Sequence, residues 1–169
     1  MTLLTPPLTP RENQAHDWFS LPNPDPVTDH ITATFWDSEV APDSWQVARL
    51  SRSAYIYRET ETSWKVVAKF HAPKTGKDAI HHAEREYRLT QQTWKDLESD
   101  QEVRSVQPLG LWDGVLFLEF VDGLTLEDKI AIRRSQPGEL LRTIRTVAEF
   151  LVKLHGNGFK PKSTSDFGQ

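Results

Sequence analysis

Val66-Val67-Ala68-Lys69-Phe70 sets one lysine inside a run that is otherwise apolar. Alternate residues of a strand point the same way, so Val67 and Lys69 share a face. Half-burying an ammonium group is costly unless an acid or a ligand anion compensates it. The lysine therefore has either a partner elsewhere in the chain or an exposed face with its stem laid over apolar neighbours. The surrounding sequence favours the partner.

Upstream, residues 45–50 and 54–59 read as two more strands rich in aromatic and β-branched residues, and the lysine strand spans residues 63–71. Thr60-Glu61-Thr62 is a hairpin connection without the glycine that usually marks one. Downstream, Thr75-Gly76-Lys77-Asp78 has the form of a capping box and opens a helix running to about Leu97. Ile80, Ala83, Tyr87, Thr90 and Trp94 fall on one face of it. Two acids on this helix, Glu84 and Glu86, lie about 200° apart around its axis, so only one can face the lysine. Glu86 is nearer the apolar stripe and is the favoured partner; the bland alternative is two solvated glutamates beside Arg85 and Arg88.

Residues 108–112 and 115–121 then read as strands joined by Asp113-Gly114, a strong hairpin signal. A second capping box, Thr125-Leu126-Glu127-Asp128, opens a short helix. The last helix starts near Pro137. Its apolar residues Leu140, Leu141, Ile144, Val147, Ala148, Leu151, Val152 and Leu154 cover most of its girth, which predicts burial within a helical domain. At the other end of the chain, seven of the eleven prolines lie at or before Pro42. Their spacing predicts an extended or disordered leader over residues 1–27, followed by a short helix capped at Thr28-Asp29. The expected class is α+β: a five-stranded antiparallel sheet with one packed helix over residues 28–121, then a hinge and two helices of an incomplete helical lobe over residues 122–169.

Composition narrows the partners. The 169-residue chain carries a net charge of −4 and no cysteine. It has no basic surplus for nucleic acid, no disulfide or thiolate chemistry, and no apolar run of membrane-spanning length. A cytoplasmic location is the expectation. His81 and His82 are adjacent on a helix and diverge by about 100°, so they do not chelate one ion together.

In its order of elements the chain resembles the small lobe of protein-kinase-like folds, and in its residues the aminoglycoside phosphotransferase and choline-kinase-like branch. Ser51-Arg52-Ser53-Ala54-Tyr55-Ile56-Tyr57-Arg58 is similar to that branch's nucleotide loop and second strand. Val66 to Phe70 is similar to its lysine strand, and Ala83-Glu84-Arg85-Glu86-Tyr87 to its glutamate helix. Leu118-Glu119-Phe120-Val121-Asp122-Gly123 resembles its hinge, and Leu154-His155-Gly156-Asn157-Gly158-Phe159 the helix end that leads to its catalytic loop.

The resemblance implies ATP binding. Val67 would contact the adenine ring, and Lys69, paired with Glu86, would neutralise phosphates. Ser51 and Ser53 would line the phosphate loop, while the Glu119 carbonyl and the Val121 N–H would hold the base edge. Transfer also needs a catalytic aspartate and magnesium ligands, and these would lie beyond His155. Residues 160–169 hold no such loop; Asp166-Phe167-Gly168 matches a magnesium motif in letters only, too close to His155 to serve. The expectation is an ATP-binding lobe that is inactive alone. Magnesium would come only with a large lobe, and a second chain could complete the helical part. The competing expectation is a non-catalytic regulatory or protein-interaction module.

Overall fold

The computed structural model describes residues 17–21, 25–36, 44–71, 76–98, 104–123 and 137–156. The chain divides into two compact units, Met1–Lys95 with Arg104–Val121, and Asp96–Val103 with Asp122–Gln169. The first unit contains an antiparallel sheet of six strands: β1 (Phe19–Ser20), β2 (Trp45–Arg49), β3 (Ala54–Glu59), β4 (Lys65–Phe70), β5 (Pro108–Trp112) and β6 (Val115–Glu119). Their order across the sheet is β1-β2-β3-β4-β6-β5. The helices among the described residues are α1 (Pro26–Phe35), α2 (Gly76–Leu97) and α3 (Pro137–Gly156). The α+β class therefore holds.

The count of five strands does not hold. The sixth is β1, which the proline spacing had assigned to a leader without regular structure. It is two residues long and is fixed by pairing with β2, Phe19 opposite Val47 and Ser20 opposite Gln46. A strand that short has no periodicity of its own, and only the neighbouring edge makes it one. The first helix also begins earlier than expected. Asp25 caps it, its Oδ1 accepting from the Val27 N–H at 2.8 Å, and Pro26 takes the first helical position, where a missing N–H costs nothing.

Alternation gives the sheet two faces. One carries Val47, Tyr55, Tyr57, Val66, Ala68, Phe70, Val115 and Phe117, covered by Val27 and Ile31 of α1. Aromatic rings close its margin: Trp36, Trp45 and Trp64 meet edge to face, and His30 stacks on Trp112 with centroids 4.5 Å apart. The opposite face carries Ala54, Ile56 and Val67, with Trp18, Leu118 and Phe120 packed against them. Lys69 lies on this second face, flanked across the ladder by Ala54 and Leu116.

In α2, Ala79 and Ala83 are buried and Ile80, Tyr87, Thr90 and Trp94 half-buried, so the expected stripe is the one turned inward. The Asp113-Gly114 turn has φ of 45° and 80°, and β5 meets β6 through it with Trp112 opposite Val115. β6 ends at Glu119, two residues short of the expected boundary.

The second unit is described here through α3. Leu141, Ile144, Leu151 and Val152 are exposed on it, against the expectation of a buried helix. A helix apolar around most of its girth needs covering surface on several sides, and the described residues leave these four open. The short helix expected from Thr125 and the capping residue Thr75 lie outside the described residues, as do residues 157–169. Among the described residues no helix is long and apolar enough to cross a membrane.

Candidate functional site

Lys69 and Glu86 meet. The Lys69 ammonium donates to Glu86 Oε1 at 2.6 Å, and the two side chains are 35% and 33% exposed. Strand parity aims the lysine at the second sheet face. Helix periodicity aims the glutamate: Ala79, Ala83, Glu86 and Thr90 follow a 4-3-4 spacing down the inward side of α2. Glu84 is on the exposed side, where its main-chain carbonyl accepts from Arg88 Nε. A pair this exposed contributes only about 0.2–1 kcal/mol to stability. Its effect is positional: it holds an ammonium group at a fixed point beside an apolar floor.

Val67, two residues before Lys69, contributes to that floor with Ala54 and Ile56. The Ser51-Arg52-Ser53 turn sits at the Lys69 end of β4. The Ser53 carbonyl accepts from the Phe70 N–H at 2.8 Å, and Ala54 is opposite Lys69. The turn is closed by bonds of its own. Ser51 Oγ accepts from the Ala54 N–H at 3.2 Å, and the Leu50 and Ser51 N–H groups both donate to the Ala54 carbonyl. The Ser51 hydroxyl thus accepts a bond within the hairpin.

Glu119 and Val121 lie toward the other end of β4, since Glu119 is opposite Val66 while Leu116 is opposite Lys69. The Glu119 carboxylate is occupied locally. Its Oε1 accepts from the Gln107 N–H at 2.8 Å and its Oε2 from Arg104 at 3.3 Å. Val121 is past the strand end and exposed. The structure thus joins Lys69 to Glu86 and gathers Val67 and the Ser51–Ser53 turn around them; Glu119 lies at the far end of β4 with its side chain on the opposite sheet face, beside Val66, and Val121 follows beyond the strand.

Five further residues belong to this region. Trp18 packs against the Ala54–Ile56–Val67 group, and the Arg58 guanidinium lies 3.9 Å from the centre of its ring. Lys65 Nζ lies 4.6 Å from the centre of the Phe120 ring. His71 Nε2 is 3.3 Å from Glu86 Oε2. It is buried and out of line for a hydrogen bond, so the contact is one of proximity and charge. Burial holds the His71 imidazole below its ordinary titration range; Glu86 opposes that shift, while Lys69 and His82 add to it. A pocket of about 330 Å³, open to solvent, lies beside the pair and is lined by His71, His82, Arg85, Glu86 and Leu89. Trp18 was hidden in the sequence by the proline-rich leader around it. His71 gave no sign beyond closing a strand, although it lies two residues after Lys69 and so on the same face of the chain.

Among the described residues no three His, Asp or Glu side chains converge as a metal site. No protein-family model, no curated protein and no solved structure matches this chain.

Proposed function

We propose that the first unit is the nucleotide-binding lobe of a kinase-like phosphotransferase acting on small molecules. Lys69, held by Glu86, contacts the phosphates, and the Ala54–Ile56–Val67 face carries the base. The observation that carries the reading is the 2.6 Å contact between Lys69 and Glu86, a strand lysine met by a helix glutamate beside an apolar floor. The spacing along β4 also supports it. Lys69 and the end of β4 that pairs with Glu119 are separated by three residues of extended chain, roughly 10 Å at about 3.3 Å per residue, and the main chain near Glu119 is open to either face. That suits an elongated ligand, anionic at one end and flat and apolar at the other. The base edge would meet main-chain groups near Glu119 and Val121. Trp18 would form the outer wall of the base site.

The catalytic aspartate and magnesium ligands that phosphoryl transfer requires are not among the groups this reading assigns. The proposed activity is therefore ATP binding, with transfer dependent on groups outside this lobe. Calorimetry with ATP and magnesium on the wild type and on Lys69→Ala tests it. Loss of a charge-assisted phosphate contact predicts a ten- to hundredfold weaker affinity, about 1.4–2.8 kcal/mol, with the fold retained because the pair adds little stability. Equal heats for the two proteins would remove Lys69 from any nucleotide site.

A second reading, a non-catalytic module that binds a protein, has one observation in its favour. The exposed apolar residues of α3 form the kind of surface that partners cover. Absence of ATP binding by the wild type would leave this reading in front.

A further inference from the structure

Glu86 has two oxygens, and each faces a different basic group. Oε1 accepts from Lys69 at 2.6 Å, and Oε2 is 3.3 Å from His71 Nε2. A carboxylate tied at one oxygen still swings about its own axis, whereas one approached at both is fixed in plane. His71 is itself held by the backbone. Its N–H donates to the Gly114 carbonyl at 3.2 Å, anchoring the end of β4 to the Asp113-Gly114 turn. The main chain of His71 is thus fixed on the sheet side, and its imidazole is set against a residue that comes from α2.

We propose that His71 is a positioning residue: it fixes the Glu86 carboxylate for Lys69, and it couples the geometry of that pair to its own protonation. Neutral His71 lies within reach of Oε2 without a well-aligned hydrogen bond. A proton on the ring turns that approach into a charge-assisted contact and brings a second positive charge beside Lys69. The groups facing the imidazole are Lys69 from β4 and His82, Arg85 and Glu86 from α2, with the Gly114 carbonyl on its main chain. Glu86 favours the proton, while Lys69 and His82 oppose it. An anion placed on Lys69 favours it further. Binding of a polyphosphate and protonation of His71 therefore assist each other, by linkage. The consequence for affinity rests on the nucleotide reading above; the coupling within the protein does not.

The test follows the Glu86 carboxyl carbon by NMR across a pH titration of the full chain, in the wild type, His71→Gln and His82→Gln. Gln at position 71 keeps a neutral N–H donor of similar reach and cannot gain the proton. In the wild type the Glu86 signal is expected to step at the midpoint at which the His71 ring titrates. The step should persist in His82→Gln and vanish in His71→Gln. A Glu86 signal that does not change as His71 titrates, or one that follows His82, overturns the proposal. ATP affinity measured on the same proteins separates the two readings. From about pH 8 to about pH 5.5 the wild type is expected to tighten about three- to tenfold more than His71→Gln, the ligand's own titration being common to both. Equal slopes in two proteins that both bind ATP overturn the proposal. A Glu86 step in a wild type that binds no ATP at any pH supports the positioning role and rejects the nucleotide site.

Discussion

Tyr57 and Glu59 lie two residues apart on β3 and are both almost fully buried, yet their polar atoms are treated in opposite ways. Glu59 is satisfied: its carboxylate accepts from the Glu61 N–H at 2.9 Å and from the N–H and hydroxyl of Thr62 at 2.6 and 2.7 Å. Burial pushes the Glu59 carboxyl up, but those donors outweigh burial and hold it below its ordinary value. A lowered carboxyl pKa is stabilising above the unfolded value of 4.5, and that contribution is lost as pH falls through the folded value. Acid unfolding monitored by circular dichroism is expected to steepen below about pH 4.5 in the wild type and to flatten in Glu59→Gln. At neutral pH that variant should lose about 1–3 kcal/mol, because an amide replaces one accepting oxygen with a donor.

The Tyr57 hydroxyl, by contrast, has no hydrogen-bond partner among the described residues, and burial pushes its ionisation far up, with Asp25 and Tyr55 adding to the shift. Tyr57→Phe removes an unsatisfied group and keeps the ring packed, so thermal melting should show no loss and a gain of up to about 1 kcal/mol. A loss of more than about 1 kcal/mol would mean that the hydroxyl has a bonding role. The variant also removes an alkaline weakness: a raised tyrosine pKa supports the fold below the unfolded value of 10.0, and that support fades as pH rises above it.

Among the elements, two hairpin turns illustrate what a sequence does and does not declare. Asp113-Gly114 is declared, since both central residues need positive φ and the pair tolerates it. A Cβ at Gly114 would make only an ordinary contact with Ala79 Cβ, at 3.5 Å, so space is not the obstacle. The obstacle is a backbone at φ of 80°, and Gly114→Ala is expected to cost about 1–2 kcal/mol in chemical denaturation. Because the Gly114 carbonyl holds the His71 N–H, the same change should also move the His71 resonances. The β3–β4 turn is not declared by a glycine. Ser63 takes a φ of 59°, and the buried Glu59 carboxylate gathers the turn donors instead. The N-cap of α1 was present in the letters, as Asp25-Pro26, but the proline density drew the boundary to Thr28. The pairing of Lys69 with Glu86 was legible because parity and periodicity each aim one side chain. His71 and Trp18 were not, because their contacts depend on where α2 and β1 settle against the sheet, which no local pattern encodes.

For the whole molecule, the open question is what the apolar side of α3 does in water. Leu141 and Val152 are 66% and 71% exposed, and Ile144 and Leu151 are also open. Burying one such side chain yields about 1.5–3 kcal/mol, so four of them are enough to drive association at modest concentration once the ordering cost is met. Charge gives limited protection: the net value is −4, and Arg142, Arg145 and Glu149 on the same helix carry mixed sign, with Arg145 and Glu149 paired at 2.9 Å. The purified chain is therefore expected to bind an exposed-hydrophobe dye and to sediment as more than a monomer at tens of micromolar, roughly the range that a contact of about 6 kcal/mol would set. The double variant Leu141→Gln with Val152→Gln should lower both signals, because glutamine is a good helix former and keeps α3 intact while removing apolar area. Its effect on ATP affinity should be small, since neither residue belongs to the Lys69 face. A wild type that stays monomeric and dye-silent at that concentration would show that these four side chains are tolerated in water as single exposed residues, and the protein-binding reading would lose its support.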